Sequence, residues 1–162
     1  MKKIVLFLFV FFLSISLVVA SSIESEIKEF ARSKYPNNQR MQQYTYKKQV
    51  AAYNYLITVK DSEIKKFAYR KYPYDYAMQK YTYDKQLAAK RYMGTVTDFD
   101  IYKFSKRKYP FDYSMQKYTY DKQLAAKQYM SSVINQNAKR KAVRKYPYDY
   151  SMQKYTYDKL AY

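Results

Sequence analysis

Four prolines, Pro36, Pro73, Pro110 and Pro147, stand 37 residues apart, and the chain around them repeats. Self-similarity at a fixed period of this size decides architecture before any other feature does. Lys71 to Met93 reads KYPYDYAMQKYTYDKQLAAKRYM, and Lys108 to Met130 reads KYPFDYSMQKYTYDKQLAAKQYM. The pair differs only at Tyr74/Phe111, Ala77/Ser114 and Arg91/Gln128. The copy from Lys34 has drifted further, and the one from Lys145 runs to Tyr162. The boundaries implied are a leader over 1–20, then one repeat domain, 21–162, with units 21–57, 58–94, 95–131 and 132–162.

Each unit reads as a helix, a short turn and a longer helix. Ile27, Phe30 and Ala31, then Ile64, Phe67 and Ala68, then Ile101 and Phe104 form a stripe at helical spacing. Ser21 before Glu24 and Thr97 before Asp100 resemble capping boxes at the helix start. Arg70–Lys71, Arg107–Lys108 and Arg144–Lys145 close the stripe, where cations suit the negative end of a helix dipole. Proline then stops the first helix and is expected as the first residue of the second, its missing N–H being unneeded there. Asp75, Asp112 and Asp149 would then lie in the first turn.

On a wheel of the second helix, Tyr74, Ala77, Met78, Tyr81, Ala88, Ala89 and Tyr92 share one face. Tyr76, Tyr83 and Leu87 lie nearly opposite, and Asp75, Gln79, Thr82, Gln86 and Lys90 form a polar side between them. Two apolar strips suit a middle unit covered by neighbours on both sides. Tyr-Thr-Tyr alternation favours strands locally. Helix-forming QLAAK and a chain with 1 Gly, too few for hairpin turns, outweigh it. The expected fold is all-α, an array of four helix–turn–helix repeats, solenoid-like or bundled. In the fourth unit Ala138, Lys141 and Ala142 replace the larger stripe residues, so its leading helix should be a polar cap or a frayed end.

The period is close to that of helical-hairpin repeats of roughly 34 residues. The tetratricopeptide opening W-x2-L-G-x2-Y is nevertheless absent: there is no Trp, and the lone glycine is Gly94. No family motif transfers to this chain.

Lys2 and Lys3, the apolar run from Ile4 to Ala20, and small Val18 and Ala20 before Ser21 have the three parts of a secretory signal. Retention as an uncleaved anchor is the competing reading, because the run is at the lower limit for spanning a bilayer. Either way the remainder is expected outside the cytoplasm, secreted or in the cell envelope. Membrane contact is expected only through residues 4–20 if they are kept.

Composition removes most enzymes. With no His and no Cys, the usual general base, catalytic dyads and thiolate metal sites are missing. One Gly furnishes no phosphate-cradling loop. Asp75/Asp84, Asp112/Asp121 and Asp149/Asp158 recur, but at a separation that puts about 13 Å of helix between them. That is too far for an acid/base pair. The second member of each reads as an i,i+4 partner for Lys80, Lys117 or Lys154. No catalytic residue, metal or cofactor is expected.

Charge is the positive signal. Lys plus Arg is 31 and Asp plus Glu is 13, a formal +18 that falls to +16 without residues 1–20. A merely soluble surface mixes its signs. Many of the 24 Tyr should serve packing. Tyr interleaved with Lys nevertheless also suits a polyanion, cations meeting its charge and rings stacking on bases or sugars. The candidate residues are Arg70, Lys71, Arg107, Lys108, Lys139, Arg140, Lys141, Arg144 and Lys145. The function expected is an exported, non-catalytic protein binding an anionic polymer or surface, such as envelope polysaccharide or extracellular nucleic acid. The alternative is a matrix protein that self-associates or cross-links through its tyrosines.

Overall fold

The computed structural model describes residues 22–161 and is all-helical, with no strand among those residues. In chain order the helices are α1 over 22–34, α2 Gln39–Thr58, α3 Ser62–Lys71 and α4 Tyr76–Met93. Then come α5 Phe99–Lys108, α6 Tyr113–Ser132, α7 Gln136–Lys145 and α8 Tyr150–Ala161. Residues 1–20, read as the secretory signal, and Ser21, read as a cap, lie outside the described residues. Among the described residues no helix is long and apolar enough to cross a membrane.

The prolines do not start helices. Tyr72 N–H reaches back to Ala68 O at 3.1 Å and ends α3, and Asp75 N–H bonds Tyr72 O at 3.3 Å. Pro73 is the second residue of the β-turn so formed, a position its fixed φ suits. The same pair of bonds brackets Pro110 (Tyr109 to Ser105, Asp112 to Tyr109) and Pro147 (Tyr146 to Ala142, Asp149 to Tyr146). The second helix therefore begins at Tyr76, Tyr113 or Tyr150, and the aspartate before it is the N-cap. Asp112 accepts from Met115 N, Asp75 from Met78 N and Asp149 from Met152 N, satisfying an otherwise orphaned amide. At α5 the cap is Asp98, accepting from Ile101 N, and not the neighbouring Thr97.

Two compact units divide the chain, Met1–Tyr83 and Asp84–Tyr162, the division falling inside α4. In the first, Ile27, Ala31, Ala52, Leu56, Ile64 and Ala68 are buried. In the second, Met93, Ile101 and Tyr120 form one cluster; Met130, Val133, Ala138, Ala142 and Tyr157 form another. The expected stripe is thus the buried face of each short helix, with Phe30, Phe67 and Phe104 half-buried at its edge. Ala31, Ala68, Ser105 and Ala142 occupy one equivalent place and none is more than 2% exposed, so a small side chain lets the helices close up there. α7 is a full ten-residue helix and not a frayed end. Its alanines seal against Tyr157, while Lys141 faces solvent.

The long helices pack differently from the wheel. Gln79, Thr82 and Gln86, expected on a polar side, are buried, whereas Tyr81 is 60% exposed and Ala88 faces solvent. Burying glutamine is costly only if its amide is left unpaired. Gln79 donates to Tyr72 O at 2.7 Å, stitching α4 to the turn preceding it, and Gln116 and Gln153 do the same to Tyr109 and Tyr146. Gln49, Gln86 and Gln123 reach forward instead. Each donates to the N-cap aspartate of the next long helix at 2.7 Å (Asp75, Asp112, Asp149). Each also accepts from the second amide of that helix, at Ala77, Ser114 or Ser151.

Candidate polyanion site

Tyrosine does two jobs in this chain, and burial separates them. Tyr120 and Tyr157 are buried, and their hydroxyls accept from the backbone N–H of Asp98 and Asn135, the caps of α5 and α7. Tyr92 and Tyr129 stack edge-on against those two rings and donate to Asp121 and Asp158 at 2.6 and 2.7 Å. The Asp121 bond and partial burial push the Tyr92 phenol up to about 12. In the first unit Tyr76 is driven higher by burial and by its bond to Glu26. By contrast, Tyr44, Tyr81, Tyr118 and Tyr155, at equivalent places on the long helices, are more than half exposed. So are Tyr74 and Tyr148 in the turns. Their hydroxyls have no hydrogen-bond partner among the described residues.

Cations divide in the same way. Lys117 and Lys154 pair with Asp121 and Asp158 one turn on, at 2.6 and 2.5 Å, as the i,i+4 spacing implied. Lys127 reaches Asp98 at 2.6 Å. The nine basic residues expected to meet a polyanion make no ion pair among the described residues. Arg70, Lys71, Arg107, Lys108, Arg144 and Lys145 all sit exposed in the last turn of a short helix. Arg140 and Lys141 are exposed on α7, and Lys139 is half-buried. Lys71, Lys108 and Lys145 lean over the next ring, Tyr72, Tyr109 and Tyr146, at 5.4 to 5.9 Å, which leaves their charge open to solvent.

Arg107 is also part of a built concavity. A surface cleft of about 410 Å³ in the second unit is lined by Asp100, Lys103, Lys106 and Arg107 of α5 and by Pro147, Tyr148 and Tyr150 at the α7–α8 turn. Lys103 and Lys106 bring the second and third cations, and Tyr148, 74% exposed, brings an open ring. Charge counting singled out Arg107 but not these neighbours. The missing signal is the turn between α7 and α8, which folds Tyr148 beside the basic helix α5. No family model, no curated protein and no solved structure matches this chain. The chemistry of its own surface is what remains to read.

What that surface offers is electrostatic. Cations unopposed by carboxylates attract a polyanion and release its counterions, and exposed rings give flat, sequence-tolerant contact.

Proposed function

We propose that this is an exported, non-catalytic array of basic helical hairpins that attaches to an anionic polymer or surface outside the cytoplasm. The observation that carries the reading is that, among the described residues, none of the nine candidate cations on α3, α5 and α7 has a carboxylate partner, while Lys117 and Lys127 of α6 and Lys154 of α8 are paired. A fold needing these cations only for its own stability would have neutralised them. Helix-dipole compensation accounts for one charge per helix end and gives no reason for Lys139, Arg140 and Lys141 on the body of α7. The signal-like residues 1–20 support export, and N-terminal sequencing of the extracellular protein should begin at Ser21. Retention on heparin and on DNA columns at low salt, with release by moderate salt, is the test. Passage through both at low ionic strength overturns the reading.

The exposed tyrosines favour a second reading, a matrix protein that self-associates or cross-links through them. Among the described residues Tyr118 and Tyr155 make no side-chain hydrogen bond, and Lys122 and Lys159 lie over their rings at 4.9 and 4.5 Å. Concentration-dependent oligomers or dityrosine fluorescence after oxidation would support it; a monomer inert to oxidation would remove it.

A further inference from the structure

The cleft beside α5 carries more than a positive charge. Asp100, Lys103 and Arg107 fall at i, i+3 and i+7, so one stripe of the helix presents them together. Asp100 precedes Arg107 by about 10 Å along the axis, given 1.5 Å of rise per residue. The cleft is therefore acidic at one end and basic at the other, with the open ring of Tyr148 on its wall. Among the described residues neither Asp100 nor any of Lys103, Lys106 and Arg107 has an ion-pair partner. Lys103 and Lys106 only lean over Phe99 and Tyr102, at 5.3 and 5.8 Å.

A polysaccharide bearing an anion on every sugar gains from the three cations and can pack a C–H face on Tyr148, but it meets repulsion at Asp100. A nucleotide matches the whole set. It has a phosphate at one end, a flat base, and, in cytosine, adenine and guanine, an exocyclic amino donor at the far edge. The reach from phosphate to that edge is comparable with the roughly 10 Å of helix between Asp100 and Arg107, and the cleft volume falls in the range of ordinary small-ligand sites. Resting on the polyanion reading above, we infer that this cleft holds one nucleotide of a single-stranded nucleic acid. The phosphate lies at Lys106 and Arg107, the base stacks on Tyr148, and Asp100 accepts from the amino group of the base.

Because Asp100 accepts and does not donate, the site distinguishes bases. Thymine offers no exocyclic amino group and leaves the carboxylate facing a carbonyl. Short oligo-dC should bind the purified protein about tenfold or more tighter than oligo-dT of equal length, the worth of one hydrogen bond to a charged group. Asp100→Ala should abolish the preference, bringing oligo-dC down towards the affinity of oligo-dT, because the bond that separates the two strands is gone. Tyr148→Ser should weaken both strands about tenfold through lost stacking, with the heparin elution salt unchanged. Both side chains are exposed, so far-UV CD should be the same as that of the parent. If heparin and both oligonucleotides bind with no preference for dC and no effect of Tyr148→Ser, the nucleotide site is wrong and the polyanion reading stands. If neither heparin nor DNA binds at low salt, the polyanion reading itself falls.

Discussion

Gln123 Nε2 donates to Asp149 Oδ1 at 2.7 Å, and that same oxygen caps α8 by accepting from Met152 N at 3.1 Å. α6 thus holds the start of α8 by a side chain that is 3% exposed. Its other amide atom accepts from Ser151 N, so the glutamine is paired at both ends.

Gln123→Ala should therefore cost about 1–3 kcal/mol, the penalty for leaving buried polar groups unpaired. Gln128→Ala on the exposed face of the same helix should stay within about 0.5 kcal/mol. Urea midpoints of the two variants check this, and an equal effect of both would mean that the Gln123 pin contributes nothing of its own.

Ala142 is 0% exposed where α7 seals against its neighbours. Ala142→Leu should overpack that contact and lower stability by about 1–3 kcal/mol, although Leu is a good helix former. Val143→Leu, one residue on and 39% exposed, should be nearly neutral. Thermal unfolding followed by CD separates the two.

Stability should fall away on both sides of neutrality. Burial pushes the Asp98 carboxyl up, but its bonds to Lys127 and to the Ile101 amide outweigh that and hold it below its ordinary 3.8. A depressed carboxyl stabilises the fold above its unfolded pKa, and the contribution is lost as pH falls through the lower folded value. Tyr92 is raised, by its bond to Asp121 first, to about 12 from an ordinary 10. Its contribution is complete below pH 10 and disappears as pH climbs towards 12. Tyr92→Phe should flatten the alkaline limb of the melting temperature against pH and leave the acid limb in place.

Replacing Lys103, Lys106 and Arg107 together by Ser should reduce the slope of log affinity for single-stranded DNA against log salt by about 0.7, the share of one phosphate contact. Substituting ion-paired Lys117 instead should change the slope little. Fluorescence anisotropy across a salt series measures both.

The 37-residue recurrence, the stripe Ile27/Ala31, Ile64/Ala68 and Ile101, and the basic close of each short helix could be read directly, because each depends on near neighbours in the chain. Helical spacing and dipole compensation are local matters, and all-α followed from them. So did the pairing of Lys117 and Lys154 with aspartates one turn ahead.

What escaped was the choice between local alternatives and the decisions made by partners further along the chain. Pro73 suits a turn and a helix start equally well; the bond from Asp75 N to Tyr72 O selected the turn and made Asp75 a cap. Gln79 and Gln86 read as solvent-facing because polarity alone cannot reveal a waiting carbonyl or carboxylate. Tyr120 and Tyr118 are the same residue two places apart, yet one is locked to the cap of α5 and the other left open. Composition had already determined an excess of positive charge and an abundance of rings. Only the packing of helix on helix decided which cations stay unpaired and which ring stands beside them, since burial and pairing belong to the folded chain and not to its alphabet.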